Sequence, residues 1–127
     1  MPAELIRAEP LDTPTDPPCR FILPAPTTGW SQLALGVWEL RQSEHGDCHP
    51  HDEVNYVLEG TLIVDCDGES VEARPGDVVR VPAGRPAFYR APDYARMVFV
   101  YGPNPEGLPP TTFPDPSIPG KRPDHTT

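Results

Sequence analysis

The chain has 127 residues and a formal net charge of −9 at pH 7. That length fits one ordinary domain with a single core, and the negative charge repels phosphate backbones and anionic lipid surfaces, so nucleic acid and membrane partners are not expected. Twenty prolines forbid long helices wherever they fall, so the chain reads as strands and turns around a small-molecule or protein partner.

The first residues, "MPAELIRAEP", have neither a basic n-region nor an apolar h-region, and no apolar run reaches the roughly 18 residues of a membrane span. A cytoplasmic location is the expectation. Residues 1–32 form an N-terminal extension in which "AELIRA" and "RFILPA" are candidate edge strands, because proline beside a strand is tolerated at an edge. Between them lies the acidic, proline-rich "EPLDTPTDPP". From 33 to 101 apolar and β-branched runs recur: "LALGVWEL", "VNYVLEGTLIVD", "SVEA", "DVVRVP", "AFYRA" and "ARMVFVY". The turns "EG", "CDGE", "RPGD" and "PAGRP" supply Gly or Pro where the chain reverses. Short strands at this spacing predict a sandwich or barrel. Residues 102–127 form a proline-rich tail, read as extended and solvated, with Phe113 and Ile118 as candidates for docking. Cys19, Cys48 and Cys66 are odd in number and lack C-x-x-C spacing, so reduced thiols are expected.

One stretch carries the chemistry. "GDCHPHDEVNYVLEG" places Asp47, His49, His51 and Glu53 two residues apart, and in extended chain such a row shares one face. Imidazole nitrogen and carboxylate oxygen suit a divalent transition metal, and an enzyme site needs about three protein ligands with an open position. The bland alternative is a set of hydrogen-bonded polar residues, with Glu53 paired to Arg41, Arg80 or Arg96. Without a metal the pocket can still move protons, with His49 as acid or base and Glu53 or Asp47 as its partner. Trp38, Asn55, Tyr89 and Arg96 are the candidate substrate-pocket residues. An arginine pointing inward would bind a substrate carboxylate.

"HPHDEVNYVLEGTLIV" followed by "RPGDVVRVPAGRPAFY" resembles the two signature motifs of the cupin superfamily, over roughly residues 33 to 101. The resemblance implies an all-β fold, a single antiparallel jelly-roll barrel flanked by the extended proline-rich termini. Gly60 fixes the register, so Glu53 matches the family's carboxylate ligand and His49 the second histidine of its first motif. Asp47 stands where the first histidine belongs. Gly76, Pro82 and Gly84 match the second motif, but its histidine position is Ala87 and its asparagine position is Ala91. "RAPDYARMVFVYGP" is also similar to cupins of the ethanolamine-utilisation type. Two functions follow as expectations. One is an enzyme with lyase, isomerase or oxygenase chemistry on a polar, anionic metabolite, with His49 and Glu53 catalytic and a metal (Fe, Zn, Ni or Mn) held by Asp47, His49, His51 and Glu53. The other is a non-catalytic binding or sensory cupin with a degenerate metal site. The family also implies a homodimer through edge strands, for which "RFILPA" and "MVFVY" are candidates.

Overall fold

The computed structural model describes residues 3–7 and 17–113, and in them the chain forms eight β-strands and no helix. They are β1 (Cys19–Leu23), β2 (Ala34–Cys48), β3 (Glu53–Gly60), β4 (Leu62–Cys66), β5 (Glu69–Ala73), β6 (Val78–Val81), β7 (Ala87–Tyr101) and β8 (Thr111–Phe113). Every pairing is antiparallel. The long strands β2 and β7 form the frame, running together from Ala34↔Tyr101 to Asp47↔Ala87 with a break in register between Arg41 and Ser43. On one side of the break β1 adds to β2, β3 adds to β7, and β6 adds to β3. On the other side β8 adds to β2, β4 adds to β7, and β5 adds to β4. Both long strands therefore cross a corner and serve both layers, which is how an antiparallel sheet folds onto itself as a jelly roll.

The corner has a local cause. Gln42 takes φ 48° at the break, and neither Pro92 nor Asp93 opposite it has a ladder partner, so the missing proline N–H costs no pairing there. "AFYRA" and "ARMVFVY" are consequently one bent strand rather than two, and "LALGVWEL" continues to Cys48. The alternation of β2 also shifts at the break. Trp38 and Leu40 face the core before the corner, and after it His45 and Asp47 take the inner face.

The core joins the two layers: Trp38, Leu40, Val57, Met97 and Phe99 from one meet Leu62, Val64 and Tyr89 from the other, with the Trp38 and Tyr89 rings 5.4 Å apart. Register is settled at β3, where Val57 is 0% exposed and Tyr56 43%. Gly60 closes that strand at φ 75°, and a Cβ there would collide with the Tyr94 carbonyl oxygen, so no other residue fits.

Three expectations change. Residues 3–7 form no strand, whereas "RFILPA" does supply the edge strand β1. "MVFVY" lies in β7 with β2 on one side and β3 on the other, so its backbone groups are already paired and it offers no edge to a second copy. Phe113, in the expected solvated tail, belongs to β8 and stacks on Phe88 at 5.3 Å. Residues 8–16, Ile118 and the remainder of the tail lie outside the described residues. No disulfide forms among the described residues, and no helix there is long and apolar enough to cross a membrane.

Candidate metal centre

Asp47 is the last residue but one of β2, Glu53 begins β3, and His49 lies in the connection that carries the chain from one layer to the other. The row is thus not one extended strand. It converges because the chain turns a corner between Cys48 and Glu53. One donor atom from each of Asp47, His49 and Glu53 lies within 4.8 Å of the others. His49 Nε2 is 3.1 Å from Asp47 Oδ2 and 3.3 Å from Glu53 Oε1. Both carboxylates are buried, Asp47 8% and Glu53 4% exposed, so their charges need compensation from close by.

None of the three arginines expected to pair with Glu53 provides it. Arg80 pairs with Asp52 at 2.9 Å, Arg96 with Glu59 at 3.3 Å, and Arg41 lies over the Tyr94 ring at 4.3 Å. Glu53 is held instead by a buried relay. Trp38 Nε1 donates to Asn55 Oδ1 at 2.7 Å, and Asn55 Nδ2 donates to Glu53 Oε2 at 3.0 Å. That leaves Oε1 aimed at His49 with no hydrogen bond of good geometry, and His49 Nδ1 is likewise buried without a partner. Two buried carboxylates, an imidazole nitrogen and an orphaned carboxylate oxygen at one point fit a divalent cation.

The proton affinities follow the same geometry. Burial, reinforced by the Asp47 charge, pushes the Glu53 carboxyl up to about 7. Burial also works against the ionised Asp47, but hydrogen bonds from His45 and His49 outweigh it and hold that carboxyl below its usual range. Burial opposes the His49 charge as well, and the Asp47 hydrogen bond with the Asp47 and Glu53 charges reverses the sign, raising its affinity for a proton. Burial and the Glu53 and Asp47 charges drive the phenols of Tyr89 and Tyr101 far upward, so both stay neutral.

Several expected site residues have different places. His51 is not among the converging donors: its Nδ1 donates to the Asp52 carbonyl at 2.9 Å, and its ring packs 4.4 Å from Tyr101 and 5.2 Å from Trp30. Trp38 and Asn55 stand behind Glu53 and are not in the wall of the cavity that His49 borders, and Tyr89 is fully buried. Arg96 points outward, because β7 turns Ala95 and Met97 inward and the residue between them faces the other way. Two residues went unnoticed in the sequence. His45 sets its Nε2 3.2 Å from Asp47 Oδ2 and its ring 6.0 Å from Trp38. It has the parity of Asp47, which was the available signal. Tyr101, inward like Phe99, lies 4.8 Å from the His49 ring.

A cavity of about 250 Å³ opens beside the donors, and His49 belongs both to its wall and to the cluster. A larger open groove of about 530 Å³ between β5 and β6 lies apart from these groups.

The sequence profile described as "Cupin domain" matches residues 37–101, a little over half of the chain. A curated protein from Clostridioides difficile (strain 630) named "Acetate kinase EutQ" is 33% identical over 69 residues, which is 54% of this chain and 44% of that protein. The chain therefore spans less than half the length of that relative. The solved structure of the Clostridium difficile EutQ protein aligns with a TM-score of 0.54 at 33% identity, covering 57% of each chain. The putative ethanolamine utilization protein q of Salmonella typhimurium LT2 aligns with a TM-score of 0.55 at 32% identity, covering 57% of this chain and 59% of that one. The DMSP lyase DddQ of Ruegeria pomeroyi DSS-3 shares the fold, with a TM-score of 0.58 at 23% identity over 65% of this chain and 43% of that one.

Proposed function

This chain belongs to the cupin domain family, and we propose that it is a small-molecule enzyme of that family whose centre is a divalent transition metal (Fe, Zn, Ni or Mn) held by Asp47, His49 and Glu53. The observation that carries this reading is the convergence of those three donors in a buried place, with Arg41, Arg80 and Arg96 all engaged elsewhere. When bound, the metal supplies Lewis-acid polarisation of a substrate oxygen, which suits lyase, isomerase or oxygenase chemistry.

The chain's own residues prepare that place. Trp38 and Asn55 fix Glu53 through Oε2 and leave Oε1 for the centre. His45 steadies Asp47, as outer partners of ligating groups do. His49 and Tyr101 form the boundary between donors and cavity. The barrel of residues 33–101 carries the donors, whereas the segments before and after it supply most of the cavity wall.

A specific observation favours a second reading, a metal-free binding or sensory cupin. Asp47 Oδ2 can accept from both His45 and His49, and the second motif offers only Ala87 where the family has a ligand. Calorimetric titration of chelator-treated protein with zinc, nickel, manganese and ferrous iron separates the two. We expect one site per chain for at least one of these ions, abolished in His49→Ala. Absence of binding with all four would leave the second reading.

A further inference from the structure

We propose that the 250 Å³ cavity beside His49 takes a compact, uncharged organic molecule, apolar over most of its surface and bearing one hydroxyl-like group. This rests on the reading that the Asp47, His49 and Glu53 cluster is the working centre. The first argument is charge. Among the described residues, no lysine, arginine, aspartate or glutamate lines the cavity. Asp47 and Glu53 lie behind His49 and do not reach the wall. An anion would find no lysine or arginine there and a permanent cation no carboxylate, while positive charge on His49 or on a bound divalent ion is balanced by Asp47 and Glu53 behind it, so an ion entering the cavity is desolvated without a partner. The polar, anionic metabolite expected from inward-facing arginines finds none among the described residues lining this cavity: Arg96, Arg80 and Arg90 are engaged with Glu59, Asp52 and Asp65.

The second argument is the wall. Phe21, Trp30, Tyr101, Leu108 and Pro110 surround the space. The Trp30 and Tyr101 rings lie 6.4 Å apart and nearly parallel, too close to admit a ring between them, so a ligand rests against their exposed faces. At about 250 Å³ the space falls below the roughly 300–1,000 Å³ of common ligand clefts, which limits the occupant to a small molecule.

The third is the polar inventory, which is short: Thr27, His49, His51 and Tyr101. The Nδ1–H of His51 is taken by the Asp52 carbonyl, so its ring has only a lone pair at Nε2 to offer. A hydroxyl, both donor and acceptor, matches such a set.

The wall is also fixed in place. Trp30 Nε1 donates to the Gly102 carbonyl at 2.9 Å, and the Trp30 and Asn104 backbones bridge in both directions. Buried Asn104 in turn donates to the Leu108 carbonyl and accepts from its N–H. Trp30 and residues 107–110 lie outside the matched region 37–101, so selectivity is built from segments that precede and follow the family's domain.

The test uses chelator-treated full-length protein, so that it stands apart from the metal titration. Phenol, benzoate and benzyltrimethylammonium are titrated separately, with binding read from chemical-shift changes. We expect phenol to bind at least tenfold more tightly than either ion, and Trp30→Ala to weaken phenol at least tenfold. Leu108 is 50% exposed, so Leu108→Arg leaves the fold intact and should turn the preference toward benzoate. A wild type that prefers benzoate or benzyltrimethylammonium, or that binds none of the three, would overturn the proposal. So would a Leu108→Arg protein with unchanged preference. Failure of the metal titration would overturn the metal reading alone.

Discussion

Residues 47–60 and 76–91 are the two signature stretches, and they run side by side in the sheet: Glu53 pairs with Val81 and Asp47 with Ala87. Their inner positions differ in kind. The first presents Asp47, Glu53 and Asn55, and the second presents Val81, Ala87 and Ala91. The second stretch has kept the turns instead. Gly84 N donates to the His49 carbonyl at 2.8 Å, Ala83 N to Asp52 Oδ1 at 2.9 Å, and Gly76 N to the Val57 carbonyl at 2.9 Å. One stretch carries the converging donors and the other holds that stretch in position. Chemistry and scaffold are usually mixed within each motif of a site, and their separation here makes them individually breakable.

The largest expected effect comes from removing the frame of the first stretch. Gly60→Ala combines a left-handed backbone with a collision at Tyr94, so we expect a loss of at least about 3 kcal/mol in urea denaturation, with the metal site lost as a consequence. Next is the buried carboxylate. Glu53 has a folded pKa raised from 4.5 to about 7, so folding favours its protonated form and stability declines as pH rises across that window. His49, whose pKa is also raised, acts in the same sense, its contribution being lost as pH rises through its folded pKa. Metal-free protein should therefore lose about 2 kcal/mol between pH 5 and pH 8, and Glu53→Gln should flatten that slope in denaturation at each pH. A slope unchanged by Glu53→Gln would place the titration elsewhere.

Two smaller effects sharpen the contrast. His45→Ala leaves Asp47 without an outer partner, and we expect metal affinity to fall about 10- to 100-fold by calorimetry. Ala87→His gives the second stretch a donor beside Asp47. A gain of about tenfold in affinity is expected, limited by about 1–3 kcal/mol of overpacking, because Ala87 is fully buried.

Much of this was legible from alternation and glycines. Gly60 set the register, and the register brought His49 and Glu53 to the same place. Asp47 followed from the same spacing. Arg96 was readable too, since Met97 and Phe99 face inward and fix it outward, but a charged residue in an apolar strand drew attention ahead of its parity. His51 was not readable, because the turn between Cys48 and Glu53 rotates it out of the row. The irregularity at Gln42, across which His45 and Asp47 come onto the inner face, has no glycine or proline in β2 itself to announce it, and Pro92 marks it only from the opposite strand. Trp30 and Leu108 lie in loops without periodicity, and only the folded chain shows that they share a wall with His49.

The pairing of β2 with β7 has a kinetic meaning. It joins Ala34 to Tyr101, so the frame closes only after most of the barrel's chain has been made and brought together. Such non-local closure folds more slowly than a helical chain of similar size. The donors 47, 49 and 53, by contrast, are neighbours in sequence and are already near one another in the open chain. An ion can therefore meet them before the barrel exists, and any affinity of that unfolded segment subtracts from the stabilisation the ion confers on the finished fold.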